Sequence, residues 1–256
     1  MMSDVLLEAR AVAKHFGGVK ALNDVSLSIR RGEVYGLIGP NGAGKTTFFN
    51  CMTGLYVPDG GGFVFDGAPL QADAPHKAAT RGIARTFQNI RLFGNMSALE
   101  NVMVGRHVRT RTGIFGAIFR DRATVAEEAA IRRRALELLH YVGVEDRADD
   151  LAKNLSYGDQ RRLEIARALA TEPKLLCLDE PAAGMNGTET EELRVLIEGI
   201  RKDGVTVLLI EHDVKLVMGL CDRVAVLDYG ALVIEDVPAV VQRDPRVIEA
   251  YIGVAA

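Results

Sequence analysis

The chain has 256 residues, 48% of them hydrophobic, and can therefore bury a sizeable core in one domain with a smaller lobe attached. A net charge of -3 with 25% charged residues describes an ordinary soluble surface and gives no support for nucleic acid as a partner. No apolar run reaches the roughly 18 residues that cross a bilayer, and three separated cysteines without metal-ligand spacing predict reduced thiols in a cytosolic protein.

Short apolar runs alternate with longer stretches of helical period, the pattern of an α/β fold around a mainly parallel sheet. Residues 6–32 and "GGFVFDG" (61–67) alternate polar and apolar groups and predict an antiparallel sheet that flanks this core. The predicted strands of the parallel sheet are "EVYGLIG" (33–39), "LLCLDE" (175–180), "VTVLLIE" (205–211) and "RVAVLDYG" (223–230).

The segment "GPNGAGKTT" (39–47) fits the pattern G-x-x-x-x-G-K-[ST] between a predicted strand and an apolar helix, which is the context that this motif requires. Glycines let backbone N–H groups turn toward a polyphosphate, Lys45 neutralises the β and γ oxygens, and the Thr46 hydroxyl can bind Mg²⁺. The residues that we expect to bind a nucleoside triphosphate are Gly39, Asn41, Gly42, Ala43, Gly44, Lys45, Thr46 and Thr47.

Two features follow the phosphate loop. Gln88 in "ARTFQNI" carries a neutral amide, which can coordinate Mg²⁺ or water without adding charge. Residues 94–155 have helical periodicity and no convincing strand. We therefore predict a single domain in which a helical subdomain is inserted into a core of residues 1–93 and 156–256.

The stretch "LSYGDQRR" (155–162) has the composition of a helix start that can hold an anion. Ser156 and Asp159 fit a capping box, which satisfies the orphan N–H groups of the first turn and is a sufficient structural role by itself. Gly158 permits close approach of the backbone, and the helix dipole places about half a positive charge here. Because the phosphate loop cradles one side of a triphosphate, we expect this turn of a second copy to close over the γ-phosphate.

Polar residues at the ends of two predicted strands complete the candidate site. Asp179 and Glu180 end "LLCLDE", and because adjacent strand residues point to opposite faces, they have different roles. We expect Asp179 to hold Mg²⁺ through a water molecule and Glu180 to reach the attacking water. His212 ends "LLIEH" and can donate a hydrogen bond to the γ-phosphate.

Five motifs, in this order and at these spacings, resemble those of ABC transporter ATP-binding subunits. They are "GPNGAGKTT" (Walker A), Gln88 (Q-loop), "LSYGDQRR" (signature), "LLCLDE" (Walker B) and His212 (switch). The resemblance covers essentially the whole chain and implies a P-loop NTPase (RecA-like) core. It also implies that Phe16 stacks on adenine and that "PAAGMN" (181–186) is the D-loop. The stretches "GIARTFQNIRLF" (82–93) and "AYIG" (250–253) are similar to Liv-type subunits of branched-chain amino-acid importers.

The Liv-type resemblance implies an ATPase that uses ATP and Mg²⁺ to energise import. Its implied partners are a second ATP-binding subunit, identical or related, transmembrane permease subunits and, indirectly, a solute-binding protein. The implied location is the cytoplasmic face of the inner or plasma membrane, as a peripheral subunit. Urea or amide import, lipopolysaccharide export and a soluble nucleotide-driven clamp remain as alternatives.

The sequence departs from the superfamily pattern at three positions. Tyr157 stands in place of the first signature glycine, Asp159 in place of a glutamine, and Asn186 in place of the D-loop aspartate. We expect Tyr157 to limit backbone approach and Asp159 to bring a carboxylate near phosphate. The basic segment 105–122 is interpreted as a solvated loop or as a contact for membrane subunits or anionic lipid.

Overall fold

The strands of the protein form two sheets. The computed structural model describes residues 4–70, 74–106 and 122–252. The strands are β1 (Val5–Phe16), β2 (Val19–Arg30), β3 (Val34–Ile38), β4 (Gly60–Phe65), β5 (Ala68–Pro69), β6 (Ile83–Arg85), β7 (Leu175–Asp179), β8 (Thr206–Ile210), β9 (Arg223–Asp228) and β10 (Ala231–Asp236). The helices are α1 (Lys45–Met52), α2 (Pro75–Arg81), α3 (Ala98–Arg106), α4 (Arg122–Val142), α5 (Tyr157–Leu169), α6 (Gly187–Lys202), α7 (Val214–Leu220), α8 (Pro238–Val241) and α9 (Pro245–Ile252).

The larger sheet has the strand order β10-β9-β3-β8-β7-β6 and is parallel except for β10, which pairs antiparallel with β9. β3, β7 and β8 are buried along their whole length, as expected for parallel strands covered on both faces. The smaller sheet has the order β2-β1-β4-β5 and is antiparallel throughout. The predicted α/β class, with a mainly parallel sheet and a flanking antiparallel sheet, is confirmed.

The hydrophobic core lies between the two sheets and helix α1. Phe48 and Phe49 of α1 are fully buried, and Phe48 packs edge to face on Phe63 of β4, with ring centroids 5.4 Å apart. Aromatic packing of this kind adds about 0.5–1.5 kcal/mol to the burial itself. It ties the helix that starts at Lys45 to the smaller sheet and so fixes the end of the phosphate loop.

The chain divides into two compact units, one made of Met1–Arg85 with Lys174–Ala256 and the other of Thr86–Pro173. In the second unit, α3, α4 and α5 pack against one another. A Cβ on Gly105 would lie 2.3 Å from the Arg167 carbonyl oxygen, so this glycine allows α3 to approach α5 closely. The unit is wider than the predicted 94–155 insertion because the signature helix α5 packs on α3 and α4.

Two stretches that the sequence analysis used lie partly outside the described residues. Most of the basic segment 105–122 is in that category, and so is Gly253 of the "AYIG" stretch. Within the described ranges, no helix combines the length and the apolar character that a membrane span needs.

Candidate functional site

The phosphate loop connects β3 to α1 and depends on two glycines. Gly39 has φ 149°, and a Cβ there would lie 2.1 Å from the Leu227 carbonyl oxygen. Gly44 has φ 102°, and a Cβ there would lie 2.4 Å from the Ala21 carbonyl oxygen. Any other residue would combine backbone strain with a clash against main chain, so the loop shape requires glycine at both positions.

Lys45 is the first residue of α1 and is buried. Its Nζ donates hydrogen bonds to the carbonyl oxygens of Gly39 and Pro40, at 2.6 and 2.9 Å. Burial lowers the pKa of Lys45, and the carboxylates of Glu180 and Asp179 oppose that shift. The ammonium group therefore lies across the loop, where an anion can replace its carbonyl partners.

The parallel sheet brings the predicted catalytic residues to one edge. β3 ends at the phosphate loop, β7 at Asp179 and β8 immediately before Glu211 and His212. Since β8 lies between β3 and β7 in the sheet, the carboxyl ends of all three strands are neighbours. β6 also ends at this edge of the sheet, and Arg85 is its last residue.

Glu180 and His212 form a pair at this edge. The Nε2 atom of His212 lies 2.6 Å from Oε1 of Glu180. Glu180 has φ 49°, an uncommon conformation for a residue with a side chain, which costs of the order of 1–3 kcal/mol and is concentrated at functional sites. The Glu180 side chain is mostly buried whereas that of His212 is half-exposed, so the histidine can contact both the carboxylate and a ligand.

Asp179 is held by Arg85, a residue that the sequence analysis missed. The Arg85 Nη2 atom donates to Asp179 Oδ2 at 2.7 Å, and both side chains are almost completely buried. The Arg85 Nη1 atom donates to Asn50 Oδ1 of α1 at 2.6 Å, and the guanidinium lies 5.2 Å from the Phe49 ring centroid. Arg85 therefore connects the Walker B aspartate to the helix that follows the phosphate loop.

We expect Arg85→Met to lower the free energy of unfolding by about 3–5 kcal/mol, because it leaves the Asp179 carboxylate buried without its cation. Chemical denaturation of the purified protein measures this change. Arg10→Met is the matched control, since the Arg10 pair with Glu8 is exposed and contributes little to stability. Equal stability of the two variants would contradict the role assigned to Arg85.

The oxygen donors in this unit fit Mg²⁺. A hard divalent cation prefers carboxylate and hydroxyl oxygens together with water, and Asp179 offers a carboxylate while Thr46, at the exposed face of α1, offers a hydroxyl. Gln88, the third predicted metal ligand, is exposed and belongs to the other compact unit. Its contribution to a metal site stays a prediction.

Glu211 is a second residue that the sequence analysis missed. Its carboxylate is buried and accepts the N–H groups of Ala182, at 2.7 Å, and of His212, at 3.0 Å. Burial raises the pKa of Glu211, and these backbone hydrogen bonds oppose the rise. Glu211 thus fixes the main chain on either side of the Glu180–His212 pair. A buried glutamate just before the strand-end histidine was the available signal.

Phe16, the predicted adenine platform, is 45% exposed at the end of β1. Tyr56 packs edge to face on it at a centroid distance of 5.3 Å, and Lys14 Nζ lies 5.6 Å from its ring centroid. Lys14 is held in turn by Asp59 at 2.9 Å. An exposed and oriented ring is suited to stacking on a base, and Tyr56 joins the predicted platform as an aromatic neighbour that the sequence did not reveal.

The signature turn, residues 155–160 at the start of α5, lies in the second compact unit. The Ser156 hydroxyl caps α5 by accepting the Asp159 N–H at 3.1 Å, and it donates to the Asp159 carboxylate at 2.8 Å. Asp159 therefore bonds to the serine itself, and Gly158 is buried in the first turn. In the first unit, Asn186 forms a capping box with Glu189 at the start of α6, so its amide serves the helix start.

The comparisons with known proteins identify the class. The sequence pattern of the ABC transporter family matches residues 22–183. The structure also resembles the ADP conformation of MJ1267, an ATP-binding cassette of an ABC transporter, with a TM-score of 0.85 and 31% identity over 98% of this chain and 100% of that one. The chain belongs to the ABC transporter family, and it is an ATPase of that class.

Two relatives of known description indicate a subgroup within this family. The high-affinity branched-chain amino acid transport ATP-binding protein LivG of Salmonella typhimurium is 45% identical, over 99% of this chain and all of the relative. BraF of Pseudomonas aeruginosa, which carries the same description, is also 45% identical, over 99% of this chain and all of the relative. The likeness therefore extends through both compact units.

Proposed function

We propose that this chain is the ATP-binding and ATP-hydrolysing subunit of an importer for branched-chain amino acids. The observation that carries the proposal is the 45% identity to LivG and BraF over the full length of those proteins. Similarity that covers both compact units includes the helical unit as well as the nucleotide-binding one. The partners that follow are transmembrane permease subunits and, through them, a solute-binding protein. The chain would then act as a peripheral subunit at the cytoplasmic face of the membrane.

The chemistry that we propose is hydrolysis of Mg²⁺-bound ATP by positioning and charge stabilisation. Lys45 and the N–H groups of the phosphate loop hold the β- and γ-phosphates. Asp179 and Thr46 would hold Mg²⁺, which would neutralise charge on the phosphate oxygens. Glu180 accepts a hydrogen bond from the attacking water, and His212, 2.6 Å from Glu180, keeps that carboxylate oriented.

We also propose that the nucleotide is bound between two ATP-binding subunits. The phosphate loop covers one side of the triphosphate, and the signature turn of the second subunit contacts the γ-phosphate from the other side. The exposed Ser156 hydroxyl at the start of α5, with the dipole of that helix, supports this arrangement. A related cassette, MJ0796, with 28% identity and a TM-score of 0.76, has been solved as a dimer bound to ADP and Pi.

Substitution of Ser156 distinguishes its role in helix capping from its proposed role in anion binding. Asn and Asp are as good as Ser at a helix start, but Asp adds a negative charge that would face the γ-phosphate. We expect Ser156→Asp to abolish ATP-dependent dimerisation, whereas Ser156→Asn retains it within about threefold. Light scattering of both variants with Mg²⁺ and ATP measures the dimer. Dimerisation of the Asp variant at wild-type ATP concentrations would contradict the proposed contact.

Uptake measurements test the transported solute. Cells that lack the chain but retain its permease partners should accumulate labelled leucine, isoleucine and valine only after the wild-type chain is restored. The Lys45→Met chain is the inactive control. If restored cells accumulate urea or another solute and none of the three amino acids, the proposed substrate class is wrong.

A further inference from the structure

Arg161 in α5 is a charged side chain with only 2% of its surface exposed. Its guanidinium donates to the carbonyl oxygens of Phe87, at 2.7 Å, and of Gln88. It also donates to the Tyr157 hydroxyl at 3.0 Å. One buried cation of the signature helix is therefore bonded both to the main chain of the Q-loop and to a side chain of the signature turn. All of these residues belong to the second compact unit.

Glu164, one turn further along α5, completes this contact. It lies 3.3 Å from Arg161 and is 1% exposed, so the two charges offset each other in the interior. Its carboxylate accepts the N–H groups of Phe87 and Arg91, at 3.3 and 3.4 Å. Burial raises the pKa of Glu164, and those two N–H groups and Arg161 oppose the rise. The helix thus holds both carbonyl and N–H groups of the segment 87–91.

Tyr157 is the exposed end of this network. Its ring centroid lies 5.4 Å from the Arg161 guanidinium carbon, and 46% of the residue is exposed. It follows Ser156 directly in the signature turn. A glycine at this position, as in the superfamily pattern, would have neither a hydroxyl for Arg161 nor a ring to contact a ligand or a partner subunit.

We propose that Tyr157 and Arg161 are positioning residues that link the signature turn to the main chain of Gln88, so that contact at the turn changes the position of Gln88. The inference rests on the proposed function, since it takes the signature turn to contact the nucleotide of a second subunit. Arg161 is suited to the role because its planar guanidinium bonds several acceptors in a fixed geometry, which a lysine ammonium cannot reproduce.

Hydrogen exchange in the presence of ATP tests the link. The starting protein is the full chain with Glu180→Gln, which keeps ATP bound. We expect Mg²⁺ and ATP to slow amide exchange at least threefold in peptides that cover residues 86–91. Tyr157→Phe removes the hydroxyl and keeps the ring, and it should cut this slowing by more than half. Slowing in peptides that cover the phosphate loop should not change.

A matched variant and a second substitution make the result decisive. Tyr141→Phe changes another tyrosine of the same unit and should leave the slowing at 86–91 at its starting value. Arg161→Lys should reduce it at least as much as Tyr157→Phe, and if that variant does not fold, Tyr157→Phe decides. An unchanged response in Tyr157→Phe, with the dimer still formed, would overturn the link alone. Absence of any ATP-dependent dimer in the starting protein would overturn the proposed shared site and the link with it.

Discussion

Glu180→Gln should bind ATP with nearly unchanged affinity and hydrolyse it at least 100-fold more slowly than the wild type. The amide keeps the size of the side chain but cannot accept a proton from water, and loss of a positioned base costs typically 10²–10⁴ in rate. Phosphate release at saturating ATP measures turnover, and a fluorescent ATP analogue measures affinity. Because bound ATP persists, the same variant should accumulate as a dimer.

The control for this experiment is Glu137→Gln. Glu137 lies on the exposed surface of α4 and pairs with Arg134, a contact worth little to stability. The control should hydrolyse ATP at the wild-type rate. Turnover of Glu180→Gln within tenfold of the wild type would remove Glu180 from the proposed chemistry.

Lys45→Met should lower the affinity for ATP roughly 30-fold or more. The ammonium is buried in the loop and is the cation that we propose to bind the β- and γ-phosphates, and truncation of one partner in a desolvated charge pair costs about 2–5 kcal/mol. Titration with the fluorescent analogue gives the affinity. Lys202→Met, at the exposed end of α6, should bind as the wild type does.

A thermal melt accompanies the Lys45→Met titration. The variant also removes the donor for the Gly39 and Pro40 carbonyl oxygens, so the melting temperature shows whether the loop still folds. A folded Lys45→Met protein with wild-type affinity for ATP would exclude Lys45 from phosphate binding.

The placement of the candidate site residues could be predicted where a local rule fixes it. A glycine-rich turn after an apolar strand places Lys45, and the ends of parallel strands bring Asp179, Glu180 and His212 to the same edge of one sheet. Neither rule depends on which side chains of distant segments meet. The four predicted strands of the parallel sheet therefore lie where the structure has them, with ends that differ by one or two residues.

The buried charges that support the site could not be predicted. The sequence pattern gives no sign that three of these residues are buried and ion-paired or hydrogen-bonded: Arg85, Arg161 and Glu211. Their roles depend on partners that folding brings together, such as Asp179, 94 residues from Arg85 along the chain. The membership of α5 in the second compact unit has the same origin, since it depends on packing against α3 and α4.

A mixture of two inactive variants tests the central claim that each ATP is bound by two subunits. Alone, Lys45→Met lacks a working phosphate loop and Ser156→Asp lacks a working signature turn, so neither should hydrolyse ATP. In a mixed dimer, the phosphate loop of the Ser156→Asp chain faces the intact signature turn of the Lys45→Met chain, which restores one site.

We expect an equimolar mixture to recover turnover that neither variant shows alone, up to roughly half of the wild-type value, because each mixed dimer holds one of the two sites. The negative control is a chain that carries both Lys45→Met and Ser156→Asp, mixed with an excess of either single variant. If the mixture is as inactive as its components while the wild type is active, each site is complete within one chain, and the sharing of ATP between two subunits is contradicted.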